Sequence, residues 1–229
     1  MTTAACTGDS VIEGQANPNI DQLSDLFIRV FPALNIEERQ LTLKIYTMLA
    51  EGDAVSLNRL AAALDRSPES VSETLSQWPG IFYDEAGLIV GFWGLSVKDM
   101  RHRLIVHGKT SYAWCAWDTL FIPALLNATV EIVSACAVSS VEIRLTVSPA
   151  GIEAVDPGDV VLSFLAPDER ELREDVTTNF CHFVQFFRSQ SDAEAWVSAH
   201  EGSFVLALDD AFTLGKKVNA ARYGHELGI

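Results

Sequence analysis

The chain has 229 residues, of which 48% are hydrophobic and 21% charged, and its formal net charge is −15 at pH 7. That length accommodates one large domain or two modest ones with a real core, and so acidic a surface repels polyphosphates. A nucleic-acid partner would need a local basic patch, yet the densest basic run, 98–103, holds only Lys98, Arg101 and Arg103.

No apolar run reaches the length needed to span a bilayer. The first residues lack the basic stretch and hydrophobic core of a signal peptide. The expectation is a cytoplasmic protein, with no membrane and no nucleic acid among its partners. In that compartment thiols stay reduced. Cys6, Cys115, Cys136 and Cys181 form no C-x-x-C pair, which argues against a zinc ribbon or a thioredoxin-like redox motif. Widely spaced free cysteines commonly serve as small buried hydrophobes, and any chemical role has to be weighed against that one.

Residues 1–20 are small, polar and acidic, end in Asn17-Pro18-Asn19, and read as a disordered leader containing Cys6. From residue 21 the spacing turns helical: Leu23, Leu26, Phe27 and Val30 recur on one face before Pro32. A second helix carries Leu41, Ile45, Met48 and Leu49, and a third Leu57, Leu60, Ala61 and Leu64, ending at Asp65-Arg66. Ser67-Pro68 has the form of an N-cap with proline at the first helical position, opening a helix with Val71, Leu75 and Trp78 on one face. Ile81–Tyr83, a turn at 84–87, and Leu88–Val90 then read as a hairpin. This order, over residues 21–95, is the outline of a winged helix. Its would-be recognition helix holds Glu69 and Glu73 and no lysine or arginine, which favours a scaffold over a DNA reader.

Beyond residue 92 strands outnumber helices: 103–106, 130–133, 141–147, 160–165, 180–187 and 204–208, with helices expected at 113–120 and 192–200 and a helical turn opening at Ser148-Pro149. The reversals are too tight for βαβ crossovers. The expected fold is therefore α+β, a winged-helix-like helical module followed, over residues 96–229, by a mainly antiparallel β-sheet domain with flanking helices.

Two stretches carry possible chemistry. In Tyr112-Ala113-Trp114-Cys115-Ala116-Trp117-Asp118-Thr119-Leu120, a helix would put Cys115 and Asp118 on one face, with two tryptophans desolvating the carboxyl group and raising its pKa. The same pattern also fits an apolar helix that happens to bury a cysteine. In Phe180-Cys181-His182-Phe183-Val184-Gln185-Phe186-Phe187, aromatic alternation suggests a buried strand in which Cys181 could be plain core. Cys136 follows a strand. On a strand His182 would point away from its neighbours and pack or hydrogen-bond, while His102, His107, His200 and His225 show no ligand spacing and read as surface residues.

Taken in order, these segments resemble the organomercurial (alkylmercury) lyases. The likeness runs through Tyr-Ala-Trp-Cys-Ala-x-Asp-Thr-Leu at 112–120, Pro-Ala-Leu at 123–125 and Cys136. It continues through Leu-Thr-Val-Ser-Pro at 145–149, the Phe-Cys and Phe-Phe of 180–187, and Ala-x-x-Trp at 193–196. It spans residues 22–215, the N-terminal helical module included. The resemblance implies that Cys115 and Cys181 take the mercury, that Asp118 protonates the departing carbon, and that Cys136 is structural. Trp114 and Phe180 would line the substrate pocket. Where some members of the family have a second cysteine beside the one at 181, this chain has His182, which implies a two-thiol scheme with no vicinal pair. No cofactor is implied, and no dinucleotide-binding or P-loop glycine pattern is present. Mercuric reductase or small thiols would accept the Hg(II). A mercury-responsive winged-helix regulator and a non-catalytic mercury-binding protein are the competing readings.

Overall fold

The computed structural model describes residues 19–165 and 169–227. The expected leader and Cys6 lie outside the described residues, apart from Asn19 and Ile20. Asn19 caps α1 (Ile20–Val30) by accepting the Asp21 N–H. Asn35 and Glu38 form a reciprocal capping box at the start of α2 (Ile36–Leu49), and Ser56 caps α3 (Leu57–Ala63). Ser67 caps α4 (Pro68–Ser76), with Pro68 in its first turn. Each cap supplies an acceptor for an amide that the helix itself cannot satisfy; of these starts, Ser67-Pro68 is the one that the sequence pattern predicts. The hairpin comes next as β1 (Ile81–Tyr83) and β2 (Ile89–Phe92), antiparallel. Glu69 and Glu73 are both exposed on α4.

The hairpin is not a free wing. Strand β2 pairs with β3 (Leu95–Ser96), β3 with β5 (Lys109–Ala113), and β5 with β4 (His102–Val106). The sheet continues through β6 (Val130–Ala135), β7 (Glu142–Val147) and β8 (Ile152–Asp156), eight strands in the order β1-β2-β3-β5-β4-β6-β7-β8. All of its pairings are antiparallel, and one sheet thus joins the hairpin of the helical module to the strands of the C-terminal half. A second, three-stranded antiparallel sheet holds β9 (Val161–Leu165) between β10 (Phe186–Phe187) and β11 (Ser203–Ala207). Helices α5 (Asp118–Leu126), α6 (Glu169–Asn179, kinked at Asp175), α7 (Gln190–Val197) and α8 (Leu208–Leu227) cover the sheets. No helix of the described residues is long and apolar enough to cross a membrane.

Three expected elements take other forms. Residues 113–117 are the end of β5 and a turn, and the helix begins only at Asp118. Residues 180–185 are a single 3₁₀ turn (Cys181–Phe183) rather than strand. Ser148-Pro149 opens a hairpin reversal between β7 and β8, with Ser148 and Gly151 exchanging backbone hydrogen bonds, and not a helical turn. Strands β3, β5 and β8 and helices α6 and α8 carry no signal read from the sequence. Helix α8 packs against α1 and α5, and α1 reaches into the C-terminal half through Phe27, whose ring lies 4.7 Å from that of Trp117 and 5.2 Å from that of Phe180.

Candidate active site

Three loops converge beneath that aromatic cluster. The first is the turn Trp93-Gly94 between β2 and β3, the second is 114–117 between β5 and α5, and the third is the turn at Cys181. Backbone hydrogen bonds lock them together: Trp114 N–H donates to Gly94 O at 2.9 Å, and Ala116 N–H donates to Val184 O at 3.1 Å. The third loop is pinned from β9, where the Ser163 hydroxyl donates to Phe183 O at 2.6 Å and accepts from Gln185 N–H at 3.0 Å. The loop that carries each thiol is therefore held by hydrogen bonds to its neighbours.

The outcome is a cluster of Cys115, Asp118 and Cys181 whose sulfur and carboxylate oxygen atoms all lie within 4.8 Å of one another. Their exposures are 0%, 6% and 4%. Cys115 and Asp118 meet as the spacing implied, but through different geometry. The Cys115 backbone N–H donates to Asp118 Oδ2 at 2.8 Å from the turn that precedes the helix, and Asp118 is the first residue of α5. The Cys115 thiol thus faces both the Asp118 carboxyl group and the Cys181 thiol.

Burial decides the acid–base character of all three. It raises Asp118 to about 6, although the bonds from the Cys115 thiol and backbone N–H pull the other way. It pushes the Cys115 thiol well above its ordinary value, reinforced by the bond to Cys181 and the charge of Asp118. For Cys181 the bond from Cys115 favours the thiolate, but burial and the charges of Asp118 and Asp175 outweigh it and leave the thiol raised. Both sulfurs thus rest as thiols beside a carboxyl group poised to take a proton near neutral pH.

Asp118 depends on a residue that the sequence reading missed. Gly94 has φ of +97°, and a Cβ there would lie 2.5 Å from Asp118 Oδ1. Only glycine combines that backbone with that close approach. A glycine after tryptophan inside an apolar strand run was the available sign. Trp93 itself has φ of +35°; the Tyr46 hydroxyl donates to its carbonyl at 2.8 Å, and its indole N–H donates to Pro79 O at 2.7 Å.

A cavity of about 40 Å³ touches Asp118 and Cys181 and is walled by Phe27, Phe31, Trp93, Trp114, Phe121 and Phe180. Both expected pocket residues, Trp114 and Phe180, are among them. A larger depression, about 670 Å³, bordered by β8, β9 and α7, contains none of the three groups.

The remaining candidates lie elsewhere. Cys136 is buried just after β6, its thiol 3.4 Å from Asp192 Oδ2 on α7. His182 is exposed, edge-on to Phe183, and outside the cluster. His102 is not a surface residue: it is 1% exposed, its Nδ1 is 2.8 Å from Ser134 Oγ, and burial together with Arg101 pushes it down to about 3. Alternation along β4 puts it on the inner face with Leu104 and Val106. His107 is exposed, and His200 is half-buried, stacked on Trp196 at 3.7 Å. The side chain of His225 lies outside those described.

A family model described as alkylmercury lyase matches residues 95–219, and one described as the helix-turn-helix domain of alkylmercury lyase matches residues 35–93. The chain is 42% identical over 173 residues to an alkylmercury lyase of Staphylococcus epidermidis, covering 76% of this chain and 78% of that one. It is 38% identical over 175 residues to an alkylmercury lyase of Pseudomonas putida, covering 76% and 81%. The crystal structure of the mercury-bound form of MerB2 has the same fold, with a TM-score of 0.72 at 23% identity, over 88% of this chain and 98% of that one.

Proposed function

The chain belongs to the alkylmercury lyase family, and from that premise we propose that it cleaves carbon–mercury bonds by protonolysis, with Cys115 and Cys181 as mercury ligands and Asp118 as the proton carrier. The observation that carries this reading is the buried cluster itself, two thiols and one carboxyl group within 4.8 Å of one another. Capture of a metal would need only the thiols. A carboxyl group raised to about 6 beside them supplies what capture does not require, a place to park a proton.

Mercury in R–Hg–X is a soft cation, and thiolate is the ligand it selects. As mercury approaches, the Cys115 sulfur forms the S–Hg bond and its proton passes to Asp118. The second thiol displaces X and releases H–X. Two thiolates on mercury push electron density onto carbon, the Hg–C bond breaks, and carbon takes the proton held by Asp118. In sum, R–Hg–X and two thiols give R–H, Hg(II) bound between two sulfurs, and H–X. The aromatic walls exclude water, so the weakly basic carbon meets one acid, held in place. The Hg(II) then passes to mercuric reductase or to small thiols.

The test is to follow benzene release from phenylmercury together with protein-bound mercury on the same sample. Turnover in wild type, with stoichiometric capture but little benzene from Asp118→Asn, is the expected result. Benzene at the wild-type rate from Asp118→Asn would move the acid role to a thiol or water.

A further inference from the structure

The cavity beside Cys181 and Asp118 has room for mercury and little more. At about 40 Å³ it is close to the volume of one or two water molecules, far less than an aromatic ring requires. A second space of about 420 Å³ adjoins it and shares three walls with it: Phe31, Trp93 and Val176. This groove runs between the end of α1, the α4–β1 connection and the kinked part of α6. Pro32, Pro79 and Phe82 add further apolar surface, and Phe82, a large hydrophobic residue at 47% exposure, sits edge-on to Trp114 with ring centroids 5.0 Å apart.

The charge around the groove is one-sided. Among the described lining residues the charged ones are Glu174 and Asp175. Arg170 approaches Glu174 at 3.9 Å, but both side chains are largely exposed, so solvent weakens that pair. The Arg222 guanidinium lies 4.6 Å from the Phe31 ring centroid and 4.5 Å from that of Trp93, and does not line the groove.

We propose that this groove receives the organic group of the substrate and selects uncharged hydrocarbon groups, aryl rings included, over groups that carry a negative charge. The inference rests on the lyase reading above and names the substrate class of the same site. An apolar ring gains by leaving water for Phe31, Phe82 and Trp93. A carboxylate on that ring would instead be held near the two carboxylates at the rim, where like charges repel and solvent and salt screen part of that repulsion.

Glu174 is the residue to vary, because Asp175 also accepts the Thr177 and Thr178 backbone N–H groups. Release of benzene from phenylmercury and of benzoate from 4-carboxyphenylmercury is measured with uncharged 2-mercaptoethanol as the thiol. Wild type, Glu174→Gln and Glu174→Lys are compared at low and high salt. The expected kcat/KM ratio favours phenylmercury by about tenfold in wild type. It narrows by about three- to fivefold in Glu174→Gln, narrows again or inverts in Glu174→Lys, and contracts with salt. A ratio that is the same in all three proteins overturns the charge selection. In a second variant, Gln77→Trp, a bulky ring at the groove wall should slow phenylmercury relative to methylmercury; an unchanged ratio removes the groove as the seat of the organic group. Failure of every substrate to yield hydrocarbon would sink the lyase reading itself, whereas normal benzene release with no charge dependence sinks this inference alone.

Discussion

Two places among the described residues bring a buried thiol against a carboxylate, and they differ in what surrounds the pair. At the first, Cys115 meets Asp118 and a second thiol, Cys181, in a buried cluster beside a cavity lined by aromatic rings. At the second, Cys136 donates to Asp192 at 3.4 Å, and the same carboxylate oxygen accepts from Arg188 Nε at 2.8 Å. The Arg188 guanidinium beside Asp192 holds its carboxyl below the usual range, whereas burial lifts Asp118 to about 6. One carboxylate has a permanent counter-ion and keeps its charge; the other has none among the described residues and can trade protons at neutral pH. On the proposed mechanism, reactivity follows from the missing arginine and the added sulfur, and not from the thiol–carboxylate pair as such.

The widest separation between the two places should come from the sulfurs. Cys115→Ser or Cys181→Ser should lower hydrocarbon release by about a thousandfold or more with the fold intact, since hydroxyl is a hard, feeble ligand for mercury. Cys136→Ser should leave the rate per folded enzyme near wild type. A folded but inactive Cys136→Ser variant would show that the wrong sulfurs had been paired.

Next in size is the proton. Asp118→Asn should slow hydrocarbon release by about a hundred- to ten-thousandfold. In wild type, kcat/KM should fall as pH drops through about 6, because protonated Asp118 can no longer accept the Cys115 proton. That acid limb should be absent from the residual activity of Asp118→Asn, and its persistence there would assign the titration to another group. Gly94→Ala tests the same carboxyl group from behind. Its Cβ would collide with Oδ1, and a displacement of that kind should cost about a hundredfold in rate, while bound mercury per thiol stays the same.

Stability should separate the carboxylates by sign. Asp118 is raised, so between about pH 4 and pH 6 the folded state holds a proton that the unfolded state has lost, and stability falls as pH rises through that window. Above about pH 6 the cost is on the order of 3 kcal/mol. The stability of Asp118→Asn relative to wild type, from urea titrations, should therefore increase between about pH 4 and pH 7. Asp192 is depressed: its contribution is present above the ordinary carboxyl pKa and lost as pH falls toward its folded value. Asp192→Asn should accordingly be the less stable protein at neutral pH, with a deficit that shrinks in acid. The same sign for both variants would break the comparison. The smallest effect is Cys136→Ala, about 1 kcal/mol of stability for a small buried side chain.

Much of this molecule was legible in local chemistry. Ser67 with Pro68 and the turn at 84–87 mark their elements within a few residues, because caps and turns satisfy backbone groups over that range, while the box of Asn35 and Glu38 went unread. The Trp-Cys-Ala-x-Asp segment placed Cys115 and Asp118 together for the same reason, although the shared helix face proved to be a turn. Trp117, the N-cap of α5, makes no side-chain cap bond, so nothing in the sequence marked where strand β5 stops and helix begins. The Cys181 segment reads as strand because its aromatic residues alternate, while its actual shape depends on Ser163, 18 residues earlier in the chain and bonded across space. His102 went inside because the face of β4 that carries it is covered by Phe186 of the second sheet, with ring centroids 5.6 Å apart. Residue type and near-neighbour spacing thus determined which groups could do the chemistry. Tertiary structure alone decided that Cys181 sits within reach of Cys115, that Gly94 leaves room for a carboxyl group, and that Asp118 has no counter-ion among the described residues. Each of these depends on what approaches from a distant part of the chain, and desolvation and unpaired charge are properties of that enclosure, not of the residue.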